Sequence, residues 1–339
     1  MANPIIEEHP LPSSGPMPTA DPFLFCVHHC DDYPKGNENY GPSVPLTGRQ
    51  IGQDFANLDG WNMYHGTRVP GFPRHPHRGF ETVTIVKSGL IDHADSLGSV
   101  ARYGDGDVQW LTAGDGINHS EMFPLINASA KNPTDFFQIW LNLPARSKRV
   151  KPYFTMFWDK VVPVHRETDD AGNQTTVRLI SGNYYSKRPP SPPPNSWAST
   201  SGSCVGMLTI SMTGNAQWTL PKGPNALNRS LYVVQGGVSA HGGAEKTRWR
   251  YVLKSDESLR LQAGQQGATL LLLEGKPIGE PVVQHGPFVM NTREEIAQAF
   301  ADYRQTQFGG WPWRSPEPTH GAERVRFARF ADGRRDTPT

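Results

Sequence analysis

The sequence has little cysteine: Cys26, Cys30 and Cys204 are the whole complement in 339 residues. Three scattered thiols cannot build a disulfide framework, and the Cys26 to Cys30 spacing has no second cysteine pair to complete a zinc site. A reducing compartment is the expectation. Long apolar runs are missing too. The leucine block Leu270 to Leu273 and the run Phe23 to Val27 are far short of a membrane span, and the opening MANPIIEEHPLPSSGP lacks the positive-then-apolar order of an export signal. A soluble, unexported protein of the cytoplasm is the expectation. Charge of one sign is also lacking. A formal net charge of +1 gives no global field for nucleic acid, lipid or acidic substrates, and no DNA-binding motif stands in the chain.

What is present is turn chemistry. The 34 glycines and 31 prolines separate short runs of Val, Ile, Thr and aromatic residues, which favours an all-β fold of many short strands. The length suits two domains. In order, residues 1–20 read as a flexible tail rich in proline and serine, 21–155 as a first strand-rich domain, 156–308 as a second with similar rhythm, and 309–339 as a peripheral tail whose arginines solvate it. Residues 31–68, rich in Asp, Asn, Gly and Tyr, form an insertion or lid. The run SKRPPSPPPNS at 186–196 is a surface loop, because proline cannot join a central strand. One helix is expected over TREEIAQAFADYRQ, where Thr292 caps and Glu295 follows three residues later, and it closes the second domain.

The chemistry sits in two matched pairs. HPHRGFETVTIV carries His75 and His77, and GDGINHSEM carries His119 and Glu121. Residues two apart on a strand share a face, so each pair offers two ligands to one side, and the four could converge at a barrel mouth. Three imidazoles and a carboxylate suit a borderline, redox-capable metal with open positions; a closed structural zinc site would more often recruit thiolates. Fe(2+) is the expected ion, although other divalent transition metals would bind in vitro. Glu81 lies on the same face if the strand from His75 is unbroken, so the residues alone leave Glu121 and Glu81 both open. His93, in LIDHAD, and His28 and His29 read more simply as surface or hydrogen-bonded histidines. The later histidines, His241, His285 and His320, stand far apart, so one metal per chain is expected.

The segments HPHRGFETVT, DSLG, GDVQWLTAG, GINHSEM, FQIWLNLPA and EPVVQHGPFVMNTREEIAQAF resemble the pirin family, in order and across most of residues 20–308. The resemblance implies a bicupin: two jelly-roll-like β-barrel domains facing each other, with iron in the N-terminal one held by His75, His77, His119 and Glu121. It also implies two activities of different class. One is dioxygenase cleavage of quercetin-type flavonols, with a small aromatic substrate and O2 as reactants and Glu121 as both ligand and proton acceptor. The other is a non-enzymatic, iron-responsive binding role in which a transcription regulator is the protein partner. Two residues depart from the family pattern: Asp105 replaces a proline before GDVQW, and Asp115 replaces an arginine close to the ligands. An added negative charge there would retune the metal's surroundings.

Overall fold

A computed structural model describes residues 3–338, and nearly all of its regular structure is β. Among the described residues no helix is long and apolar enough to cross a membrane. The chain forms two compact units, each built on β-sheet. They are not two contiguous halves. One unit takes residues 28–138, 143–160 and 280–339; the other takes 1–27, 139–142 and 161–279. Each barrel thus recruits a terminal stretch from the far end of the sequence.

The second of these units is built around the long strand Leu259–Gly275, which pairs with Asn228–Ala240 on one side and with Gly206–Met212 and Gln217–Leu220 on the other. Period-two alternation sends Leu270 and Leu272 into one core with Val177, Ile210, Trp218, Leu231 and Tyr251. Ile5–Pro10, inside the stretch read as a flexible tail, is a strand paired with Glu245–Leu253, so an edge partner orders it. The proline run 186–196 stays out of every strand and lines a cleft of about 440 Å³ with Tyr184, Lys222 and Glu274.

The unit that carries the histidine pairs has two sheets. A five-stranded sheet runs in the order Tyr153–Phe157, Val108–Thr112, Phe80–Ser88, Asn132–Asn142, Phe23–Tyr33. A six-stranded sheet runs Arg335–Asp336, Phe327–Arg329, Val100–Gly104, Leu90–Asp95, Ile117–Met122, Gly71–His77. Their inner faces share a core that includes Tyr33, Trp61, Ile91, Tyr103, Leu111, Phe136 and Phe154. Gly79 makes the corner between the sheets. Its φ is 86°, and a Cβ there would lie 1.9 Å from the Val289 carbonyl oxygen, so only glycine passes.

The helix forms at Arg293–Thr306 with the expected capping box: Thr292 Oγ1 accepts from the Glu295 amide and the Glu295 carboxylate accepts from the Thr292 amide. Its buried face joins Phe288, Met290 and Phe308. It belongs to the histidine-bearing unit, not to the later barrel that it was expected to close, because the residues it packs against lie there.

Residues 309–336 differ most from expectation. Instead of a solvated tail they form a strap over the six-stranded sheet. Phe327–Arg329 pairs with Val100–Gly104, the Trp313 indole donates to the Asp95 carbonyl at 2.9 Å, and the Arg74 amide donates to the Pro316 carbonyl at 2.8 Å. The His320 amide donates to Asp92 at 2.8 Å and its Nε2 lies 2.8 Å from the His93 carbonyl. Glu317 accepts from the Thr67 amide at 2.9 Å and hydroxyl at 2.7 Å, which ties the strap to the 31–68 insertion. Beneath it, fully buried Arg102 holds both oxygens of Asp92 at 2.7 Å and donates to the Glu323 carbonyl. Loss of one partner strands a buried charge. Arg102→Ala should therefore cost about 3–5 kcal/mol, read as a fall of roughly 10 °C in Tm for a unit of this size. The paired exchange Arg102→Met with Asp92→Leu should recover most of that fall.

Candidate metal centre

The strands Gly71–His77 and Ile117–Met122 pair antiparallel, with His75 directly opposite His119 and His77 opposite Ile117. That register brings three rings together. Centroid separations are 4.4 Å for His75 and His119, 4.8 Å for His75 and His77, and 5.0 Å for His77 and His119. One nitrogen from each lies within 4.8 Å of the others, a spacing suited to a shared cation.

The state of the rings also suits a cation. Burial pushes the half-buried His75 down to about 4, against the opposing pull of the Pro73 carbonyl, and pushes His77 and His119 well below the ordinary histidine range. All three are neutral at physiological pH. His75 Nδ1 lies 2.8 Å from the Pro73 carbonyl, which can only accept, so that nitrogen carries the proton and Nε2 keeps its lone pair. His119 is fully buried, and among the described residues neither of its ring nitrogens has a hydrogen-bond partner. A buried imidazole with both nitrogens unmatched is costly in an apolar setting, and a metal ion is the partner that its chemistry fits.

Glu121 stands at the edge of this cluster, its Oε2 3.9 Å from His119 Nε2. Its oxygens face a buried polar group: Thr84 Oγ1 at 3.0 Å, Gln138 Nε2 at 3.1 Å and the Tyr103 hydroxyl at 3.4 Å. Burial raises its pKa, and His93, Thr84, Tyr103 and Gln138 offset only part of that rise. Thr84, Tyr103 and Gln138 gave no signal in the sequence, since they come from three strands and carry no motif.

Glu81 does not join. The strand is broken at Gly79, so Glu81 lies in the other sheet, fully buried, and accepts from Thr112 Oγ1 at 2.7 Å. His93 is buried opposite Glu121, with Nε2 3.3 Å from Asp95 and its ring 5.6 Å from His119. His28 bonds Asp135 at 2.8 Å and His29 meets the Tyr64 hydroxyl at 2.9 Å. His285 is exposed with its ring edge-on to Phe300, and the three-histidine group is the only such cluster among the described residues. Asp115 spends its charge on arginines, 2.8 Å from Arg149 and 3.3 Å from Arg78, the residue that follows His77.

These shifts fix a pH dependence for metal-free protein. Above about pH 6.5 the three rings are neutral in both folded and unfolded chains. Below it, the unfolded chain takes up protons that the folded rings refuse, His75 until about pH 4. Stability then falls with acid by about 1.4 kcal/mol per pH unit for each ring. Glu121, with its raised pKa, acts in the opposite sense, but it is one group against three. Thermal melts of metal-free protein should show Tm dropping from pH 6.5 to 5, with a shallower slope in His75→Gln.

The geometry can be set beside known proteins. The Pirin family model matches residues 17–141, and the Pirin C-terminal cupin domain matches residues 207–309. A pirin-like protein of Caulobacter vibrioides is 37% identical over 241 residues, covering 70% of this chain and 80% of its own. A Pseudomonas aeruginosa protein named "Putative quercetin 2,3-dioxygenase" is 37% identical over 246 residues, with 70% and 79% covered. The pirin of Homo sapiens is 31% identical over 278 residues, with 77% and 87% covered. A crystal structure of quercetin 2,3-dioxygenase from Acinetobacter baumannii shares the fold at a TM-score of 0.68 and 24% identity, over 91% of this chain and 96% of that one. The two matched domains and these relatives agree with the paired histidine strands: the chain belongs to the pirin family.

Proposed function

We propose that this protein is an iron-dependent dioxygenase of the quercetin 2,3-dioxygenase type, with Fe(2+) held by His75, His77, His119 and Glu121 and a flavonol-like aromatic as substrate. The observation that carries this reading is the fully buried His119, its two nitrogens unpartnered, beside a carboxylate of raised pKa. Iron, when bound, supplies the redox-capable Lewis acid that flavonol oxygenation requires. The chain supplies the rest. Three neutral imidazoles give an open ligand set, and burial of His77 and His119 limits the water around it. The Glu121 carboxylate lies beside the imidazoles, its Oε2 3.9 Å from His119 Nε2, where it can accept a proton from the flavonol 3-hydroxyl. Thr84, Tyr103 and Gln138 hold its two oxygens in place for that transfer. The name of the Pseudomonas relative supports the substrate class.

Protein loaded anaerobically should hold one iron per chain by elemental analysis, and His119→Ala should lose it with the β-rich circular dichroism unchanged; two tightly bound ions would contradict the single site. Given O2 and quercetin, loaded protein should consume oxygen and open the central ring. Glu121→Gln should lower turnover by about 10²–10⁴-fold while metal content falls far less, because an amide can sit near the ion but cannot take the proton. Full occupancy with no oxygen uptake on any flavonol, and a protein partner whose binding differs between Fe(2+) and Fe(3+), would shift the assignment to an iron-responsive transcription co-regulator.

A further inference from the structure

The insertion at 31–68 presents a second polar group toward the histidine face. Its position follows from strand geometry. His119 and Glu121 share one face of their strand, and their cross-strand partners are His75 and Phe72. A bulge between Phe72 and His75 absorbs the odd spacing, so Phe72 and His75 also share that face, with ring centroids 6.3 Å apart. Phe72 is therefore a wall of the centre.

Against this wall the insertion places Tyr64 and His65. Tyr64 stacks on Phe72 at 5.2 Å, in a left-handed conformation with φ of 56° that a β-carbon disfavours. Its hydroxyl donates to buried Asp31 at 2.7 Å, which helps hold the strained turn. The turn carries the chain outward at His65, whose amide donates to the Gly71 carbonyl at 3.1 Å. The His65 ring stands edge-on to Phe72 at 5.8 Å and to Phe55 at 5.1 Å, and Phe55 is 51% exposed. His65 Nδ1 lies 2.7 Å from the Gly52 carbonyl. A carbonyl only accepts, so Nδ1 holds the proton and Nε2 presents an acceptor lone pair, unclaimed among the described residues.

We propose that His65 is a specificity residue of the three-histidine centre: its Nε2 accepts a hydrogen bond from an outer-ring hydroxyl of a planar polyhydroxylated aromatic lying against Phe72 and Phe55. This assignment rests on the dioxygenase reading and deepens it. The ring needs no proton transfer to act; it sets which aromatic is held and in which direction it points.

The test is anaerobic calorimetric titration of iron-loaded protein with two probes, quercetin and the same flavonol without outer-ring hydroxyls. His65→Phe keeps the ring contacts and removes the acceptor. It should bind quercetin about tenfold more weakly than wild type does, bind the dehydroxylated probe with unchanged affinity, and retain its iron. Equal losses for both probes, or no loss for quercetin, would overturn the role of His65 while leaving the dioxygenase reading intact. Wild-type protein that binds neither probe would overturn both.

Discussion

The centre depends on the pairing of Gly71–His77 with Ile117–Met122. A slip of one residue would turn His119 and Glu121 away from the face they share with His75, and the three lone pairs would no longer meet. Two features hold the register. Gly71, with φ of 131°, allows the first strand to start where a Cβ would lie 2.4 Å from the Glu121 carbonyl oxygen. The bulge after Phe72 then resets the alternation before His75. The outcome is an arrangement that local energetics oppose, with the buried His119 imidazole unpaired among the described residues and a buried carboxylate of raised pKa beside it. Such a conflict persists only where the surrounding fold over-determines it.

Around that pairing the structure adds two clamps. Lys148 donates to the Gly79 carbonyl at 2.8 Å, and burial pushes its pKa down to about 8, so a weakly acidic ammonium fixes the corner that ends the histidine strand. Arg78, in the same corner, is buried against the Phe308 ring and bonds Asp302 of the helix at 2.6 Å and the Asp115 carbonyl at 2.7 Å. Asp115, a departure from the family pattern, is thus paired before it can act as an isolated charge on the histidines. Its field there is blunted by two guanidinium groups.

The parts legible in the sequence are the local ones. His75 with His77, and His119 with Glu121, could be placed on common faces because a strand's period is two, and the Thr292 and Glu295 cap because a capping box spans four residues. Long-range partners were not legible. Glu317 contacts Thr67, His320 contacts Asp92 and Arg102 reaches Glu323, each through one or two polar bonds that leave no hydrophobic period in the strap. A segment rich in proline, arginine and glycine that is held by such bonds has the composition of a solvated tail. Glu81 failed as a ligand for a different reason: a single glycine corner sent it to another sheet. His65 was silent because its placement hangs on a strained tyrosine anchored by Asp31, on the other side of the insertion in sequence.

The crossed membership of the two units has a consequence for how the protein is made. Residues 28–160 leave the ribosome early, yet Phe327–Arg329, which completes the edge of the histidine-bearing sheet, and the backbone acceptor for Arg102 at Glu323 arrive after the whole intervening barrel has been synthesised. The other unit, residues 1–27 with 161–279, has all its parts by the time Gly279 emerges. Vectorial synthesis thus finishes the barrel of residues 161–279 first. The barrel with the histidines waits with an open sheet edge, which leaves it exposed to mispairing until the strap arrives.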